Sequence, residues 1–192
     1  MDRETAYAIV TAHVQNDGLI KHMLAVEAAM RAYAVQYGED PGYWSLPGLL
    51  HDFDWEIHPT LHEHPQKGAP LLRERGVPED IIRCIQSHAP HTSVPREKMM
   101  DKALFAVDEL TGLVSACALV RPSKSLLDLE AKSVKSKWKD KAFAAGVNRA
   151  EIEQGAQELG VDLTEHITNV ILAMRTIAPR LGLDGSLARP GA

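Results

Sequence analysis

From Leu104 to Val120 the chain reads LFAVDELTGLVSACALV, with no Lys or Arg, and helical spacing puts Leu104, Asp108, Thr111 and Ser115 on one face of it. The neighbours of that face are apolar, so Asp108 is headed for the interior. An unpaired carboxylate there costs several kcal/mol. Asp108 therefore needs a cation, and the helix that carries it supplies none. The fold must bring that charge from elsewhere in the chain.

The rest of the sequence is helical in pattern too. Arg3 to about Val14 reads as a helix, and a longer one runs from about Leu19 to Tyr37, ended by Gly38. On it His22, Val26, Ala29 and Tyr33 share one face, which turns His22 towards the core. Pro41 to Gly48 reads as a turn-rich approach to a short helix, Leu46 to Phe53, with His51-Asp52 near its end. His64-Pro65 is expected to open a helix reaching Gly76, and Pro78-Glu79-Asp80 to start another, stopped by Pro90. The helix carrying Asp108 is expected from Pro95 or Arg96 through Val120, and further helices at about Arg149–Leu159 and Leu163–Leu181. No stretch alternates β-branched and polar residues as a strand would. The expected fold is all-α: one domain over residues 1–182, with a metal-site core at about 20–120, a basic and helical part at 121–182, and a flexible tail at 183–192.

Charge narrows the function. The net charge of −5 argues against a dedicated, stable nucleic-acid binder. Residues Arg121 to Lys141 nonetheless hold seven Lys/Arg against three Asp/Glu, a segment able to face solvent or to hold an anionic substrate. The longest charge-free apolar stretch, Leu110 to Val120, is 11 residues, too short to span a bilayer, so no membrane association is expected. The N-terminal MDRETAYAIV carries no secretory pattern, and Cys84 and Cys117 lie far apart in apolar helices. A cytoplasmic location is the expectation.

Histidine is distributed unevenly. Of nine, six (His51, His58, His62, His64, His88 and His91) fall between residues 51 and 91, where an even spread puts about two. His51 and Asp52 follow the apolar PGLL, adjacent to one another near a helix end, where both reach a common point. A divalent metal shared by His22, His51, Asp52 and Asp108 satisfies the whole set. Neutral imidazoles limit the ligand charge, and the carboxylates suit harder ions.

The order His22, then His51-Asp52, then Asp108 resembles the motif of the HD-domain superfamily of metal-dependent phosphohydrolases, all-helical enzymes. His64 in HPQKGAPLL is similar to the HPxxGAxxL helix of two-metal members, and His88 in IIRCIQSHA to the helix-ending histidine that follows. The resemblance spans roughly residues 20 to 120. It implies that His22, His51, Asp52 and Asp108 hold one metal, that Asp52 bridges, and that His64 and His88 complete a second. The implied cofactor is one or two divalent ions (Mn, Fe, Co, Ni or Mg). HDFDWE lacks the lysine that often follows the HD pair in cyclic-dinucleotide phosphodiesterases, and no GYP follows His88, which argues against cyclic di-GMP.

The activity implied is hydrolysis of a phosphate ester, of a nucleotide or another small phosphorylated metabolite, with Asp52 at its centre. Asp54 is a candidate to orient a histidine or to protonate the leaving oxygen, against ordinary capping. Lys67, on the face of His64, is a catalytic and substrate-binding candidate, against a solvent lysine. Arg121 and Lys124 in RPSKS are candidates for a phosphate clamp, and His91 for a substrate contact. His58 is divided between loop and substrate roles; His13, His62 and His166 read as structural or exposed. Two other readings stand beside this one. The same ligand order resembles the di-iron oxygenases of the superfamily, and a non-catalytic ligand-binding or scaffold protein would keep the fold alone. For the C-terminal third, packing, a homodimer contact and a lid are all open.

Overall fold

The computed structural model describes residues 1–188. Among them the chain forms ten α-helices and no β-strand, so the all-α expectation holds. In order these are α1 (Arg3–His13), α2 (Asp17–Tyr37), α3 (Pro41–Leu50), α4 (Gly68–Glu74), α5 (Glu79–His88), α6 (Met99–Leu119), α7 (Ala131–Ser136), α8 (Arg149–Leu159), α9 (Leu163–Arg175) and α10 (Ala178–Leu181). No described helix is long and apolar enough to cross a membrane.

Local chemistry explains the boundaries. The side chains of Asn16, Asn148 and Asp162 accept backbone N–H groups at the starts of α2, α8 and α9, and α2 ends on Gly38 in the left-handed conformation. Several boundaries differ from expectation: α6 begins at Met99 rather than at Pro95 or Arg96, α3 ends at Leu50 short of Phe53, and three others have a local cause. α3 begins at Pro41, because Asp40 accepts the Gly42 N–H at 2.8 Å and Pro41 occupies the first helical turn, where a missing N–H costs nothing. α4 begins at Gly68, since residues 61–67 close as successive turns. The last helical stretch is broken into α9 and α10, with Pro179 in the first turn of α10.

α6 is the hub. It packs against α2, α3, α5, α7, α8 and α9, and buries Leu104, Phe105, Leu110, Leu113 and Val114 almost completely. Each such side chain contributes roughly 1.5–3 kcal/mol of transfer free energy. α8 lies especially close on it: a Cβ on Gly155 would stand 2.5 Å from the Ala106 Cα, so only glycine permits this approach. That contact sets the N-terminus of α8 beside the middle of α6.

The tail is not loose at its start. Leu183 is buried, its carbonyl accepts the Leu126 N–H at 2.8 Å, and Asp184 bridges Ser125. Leu126 and Leu129 fill the space beneath, so the apolar side chains of the basic part draw this segment in. The rest of the expected tail, 189–192, lies outside the described residues.

His166 is structural, as its apolar setting suggests. Its Nε2–H donates to the Ala106 carbonyl at 2.9 Å and its Nδ1 accepts from the Tyr33 hydroxyl at 2.5 Å, tying α9 to α6 and α2. Burial pushes the imidazole down to about 4 from its ordinary 6.5. Between those values the unfolded chain takes a proton that the folded chain refuses. This histidine's contribution to stability is thus whole above pH 6.5 and is lost as pH falls towards 4. Tyr33→Phe leaves a buried acceptor unmet and is expected to cost about 1–3 kcal/mol in urea unfolding at pH 7.5.

Candidate metal centre

Four imidazoles and two carboxylates meet where α2, α3, α5 and α6 converge. α2 carries His22; His51 and Asp52 follow α3; His88 ends α5; α6 carries Asp108; and His64 comes from the turns before α4. His22 Nε2 lies 3.2 Å from His51 Nε2 and 3.0 Å from Asp108 Oδ1, and His51 Nε2 lies 3.4 Å from that oxygen. Asp52 Oδ2 stands 3.7 Å from His22 Nε2 and 3.5 Å from His51 Nε2. The other oxygen of Asp52 faces the opposite way, 3.3 Å from His64 Nε2 and 3.9 Å from His88 Nε2. The two histidines are 3.4 Å apart. Two groups able to hold a metal result, His22–His51–Asp108 and Asp52–His64–His88, with Asp52 facing both.

The hydrogen bonds decide what these atoms are. Every Nδ1 is tied from behind. That of His51 donates to the Gly48 carbonyl at 2.9 Å, that of His88 to the Ile85 carbonyl, and that of His64 to Asp54 Oδ1 at 2.8 Å. Thr111 gives its own proton to the Asp108 carbonyl at 2.8 Å, so its oxygen is left to accept from His22 Nδ1 at 3.4 Å. A carbonyl or carboxylate only accepts, so each ring carries its proton on Nδ1 and presents an Nε2 lone pair. Lone pairs then face lone pairs across 3.2 and 3.4 Å, beside carboxylate oxygens. Such an arrangement is repulsive unless a cation stands among them. Donors bound at about 2.1 Å to a common ion are separated by about 3.0 Å in an octahedron and about 3.4 Å in a tetrahedron. The donor set fits a divalent metal.

The electrostatics point the same way. Burial opposes the charged form of His51, yet Asp52 and Asp108 outweigh it and lift it to about 9, so its Nε2 lone pair takes a cation, for which a proton and a metal compete. His88 is pushed by burial to about 4. Desolvation also opposes the ionised form of Asp108, yet positive charge at His51 and His22 holds it well below the usual carboxylate range. The acids call for positive charge at the Nε2 atoms, and burial leaves His88 neutral, as a ligand must be.

Residues 19–117 of the chain match the HD domain. The chain belongs to the HD-domain family. The family lies in a superfamily of metal-dependent hydrolases that bind divalent metals, in accord with the two His/Asp groups. No curated protein and no solved structure shows significant similarity to the chain.

Of the other expected site residues, His91 lies on the cavity over the centre, its Nε2–H donating to the His64 carbonyl at 2.8 Å. Asp54 is fully buried, accepts from His64 Nδ1–H, and does not line the cavity, the His64 ring standing between it and the centre. Lys67 is exposed, engaged by Glu63 at 2.6 Å and absent from the cavity wall, so it does not reach a phosphate there. The Arg121–Lys124 clamp also fails. Asp108 and the end of α6 at Leu119 are eleven residues apart, roughly 16 Å of helix. Beyond that end Arg121 is spent on Asp128 at 2.7 Å, and Lys124 sits in the following turn at φ 45°. His58 and His62 are off the cavity, and His13 bonds the Ile9 carbonyl.

The cavity itself, about 440 Å³, is lined by Asp52, His64, His88 and Asp108 and walled by Trp55, Leu61, Pro90, His91, Glu109, Asn148 and Glu151. The last three were not singled out from the sequence. Glu109 adjoins Asp108, which was a usable signal; Asn148 and Glu151 arrive only through the packing of α8 on α6. Glu109 accepts the Asn148 N–H at 3.0 Å, and burial, with Asp108 nearby, lifts it to about 7.

Asp54 has no room to move, since a Cβ on Gly68 would fall 2.5 Å from Asp54 Oδ2. Asp54→Ala is expected to lower affinity for Mn by about 10–100-fold, as loss of a partner behind a histidine ligand does. Calorimetric titration checks this, with circular dichroism establishing that the helices persist.

Proposed function

We propose that the chain hydrolyses a phosphate ester of a small metabolite, nucleotides included, at a centre of one or two divalent ions. The observation that carries this reading is the pair of donor groups sharing Asp52 on the floor of an open cavity of about 440 Å³. His22, His51, Asp52 and Asp108 would hold one ion, and Asp52, His64 and His88 the other. When bound, such ions lower the pKa of water and neutralise charge on phosphoryl oxygens.

The protein's part is positioning. Four Nδ1 anchors hold the imidazoles in one tautomer with Nε2 aimed inward, so no side chain has to reorganise on binding. The near-complete burial of His51, His64 and His88 keeps bulk water from the floor and strengthens each charge interaction there. Leu61, Pro90 and Asn148 on its wall are exposed, so the cavity is open to solvent. With no Lys or Arg on the wall, a transferring phosphoryl group finds its positive partners at the centre alone.

The test is phosphate release from a panel of monophosphate esters and nucleotides, with Mn, Fe, Co, Ni and Mg supplied separately. Wild type is expected to turn over at least one ester with one ion, and Asp52→Ala to lose about 100-fold or more. Equal rates in the two proteins would refute the proposal. Iron-dependent oxygen uptake without phosphate release would move the chain to the oxygenase reading.

A further inference from the structure

The wall of the cavity is chemically one-sided. Beside the centre it offers Glu109, Glu151, His91 and Asn148, and no Lys or Arg. Most of their donors are already spent. The Asn148 N–H goes to Glu109 Oε2 at 3.0 Å, its Nδ2 to Glu151 Oε1 at 2.6 Å, and His91 Nε2–H to the His64 carbonyl. What remains is chiefly acceptors, the second oxygens of Glu109 and Glu151 and Nδ1 of His91, beside the second N–H of Asn148 Nδ2. Trp55, half-buried, adds an aromatic surface on the same wall and meets the His64 ring edge-on at 4.9 Å between centroids.

Such a wall selects by what it lacks. A second or third phosphoryl group would put further negative charge against the acidic Glu109–Glu151 pair, on a wall with no Lys or Arg to receive it. An apolar alcohol would cover those carboxylates and leave them unmet. Neighbouring hydroxyls satisfy both, as donors to paired carboxylate oxygens, with their C–H face towards an indole. We infer that the Glu109–Glu151 wall, with Trp55, binds the hydroxyl groups of the alcohol part, so that the substrate is a sugar or polyol monophosphate. The inference rests on the phosphohydrolase reading and deepens it.

The wall is fixed by packing. Gly155 holds α8 against Ala106 of α6, and Asn148 both caps α8 and donates to Glu109. Glu109 and Glu151, on different helices, thus stand in one constellation before any ligand arrives.

The experiment compares molecules that differ only in hydroxyls. In the metal-loaded enzyme, glycerol 3-phosphate is expected to exceed propyl phosphate in kcat/KM by about tenfold or more, and to exceed ATP as well. Glu151→Ala and Glu109→Gln should each shrink the glycerol-to-propyl ratio towards one. Calorimetry supplies a second readout, with 3,4-dihydroxybutylphosphonate expected to bind more tightly than butylphosphonate, and the two variants to lose that difference. Equal use of the matched esters, preference for ATP, or an unchanged ratio in both variants would overturn the inference and leave ester hydrolysis standing. If no ester releases phosphate, the proposed function fails; a retained phosphonate preference would then uphold the wall's assignment, and equal binding would end it.

Discussion

A carboxylate set into an apolar helix without a cation of its own governs this molecule. Asp108 sits on α6, the helix that touches most of the others, and its charge is met only where α2, α3 and α6 come together. Half-buried on the cavity floor, it is only partly solvated, and the convergence of His22 and His51 supplies the positive partners that an apolar helix withholds. The apolar core and the polar centre are therefore two aspects of one packing arrangement. The side chains that bury α6 also fix the directions from which the imidazoles approach.

The centre owes its order to unremarkable hydrogen bonds behind it. Backbone carbonyls of Gly48 and Ile85, a threonine hydroxyl and one buried carboxylate each take an Nδ1 proton. Gly48 and Ile85 lie three residues before the histidines they hold, so ordinary helix geometry delivers them, while Thr111 meets His22 through the packing of α6 on α2. The fourth, Asp54, depends on the glycine at position 68 for its space. Asp52 then couples the two donor groups, since each of its oxygens serves a different one.

Much of this was legible in the sequence because its signals were local or periodic. Helical spacing placed His22 and Asp108 on interior faces, and the ordered histidines and acids matched a known family pattern over the middle of the chain. What failed was inference from charge. Lys67, Arg121 and Lys124 looked like anion ligands because a positive side chain near a motif resembles a clamp, but the sequence does not show that Glu63 and Asp128 sit close enough to engage two of them. Asp54 was placed correctly as a partner for histidine, while its depth beneath His64 depended on the turns that precede α4. Glu109, Asn148 and Glu151 were missed since their meeting needs an approach between α6 and α8 that a single glycine permits.

That approach has a bearing on where this protein can be divided. The family pattern ends at residue 117, but the chamber above the ligands is completed by residues 148–151, on a helix beyond that limit. A fragment trimmed to the family's edge would keep every coordinating side chain and yet strip the flank of α6, leaving Ala106 and its neighbours open to water. Asn148 and Glu151 thus belong to the chamber although they hold no metal, and a change there alters its wall while every donor atom stays in place.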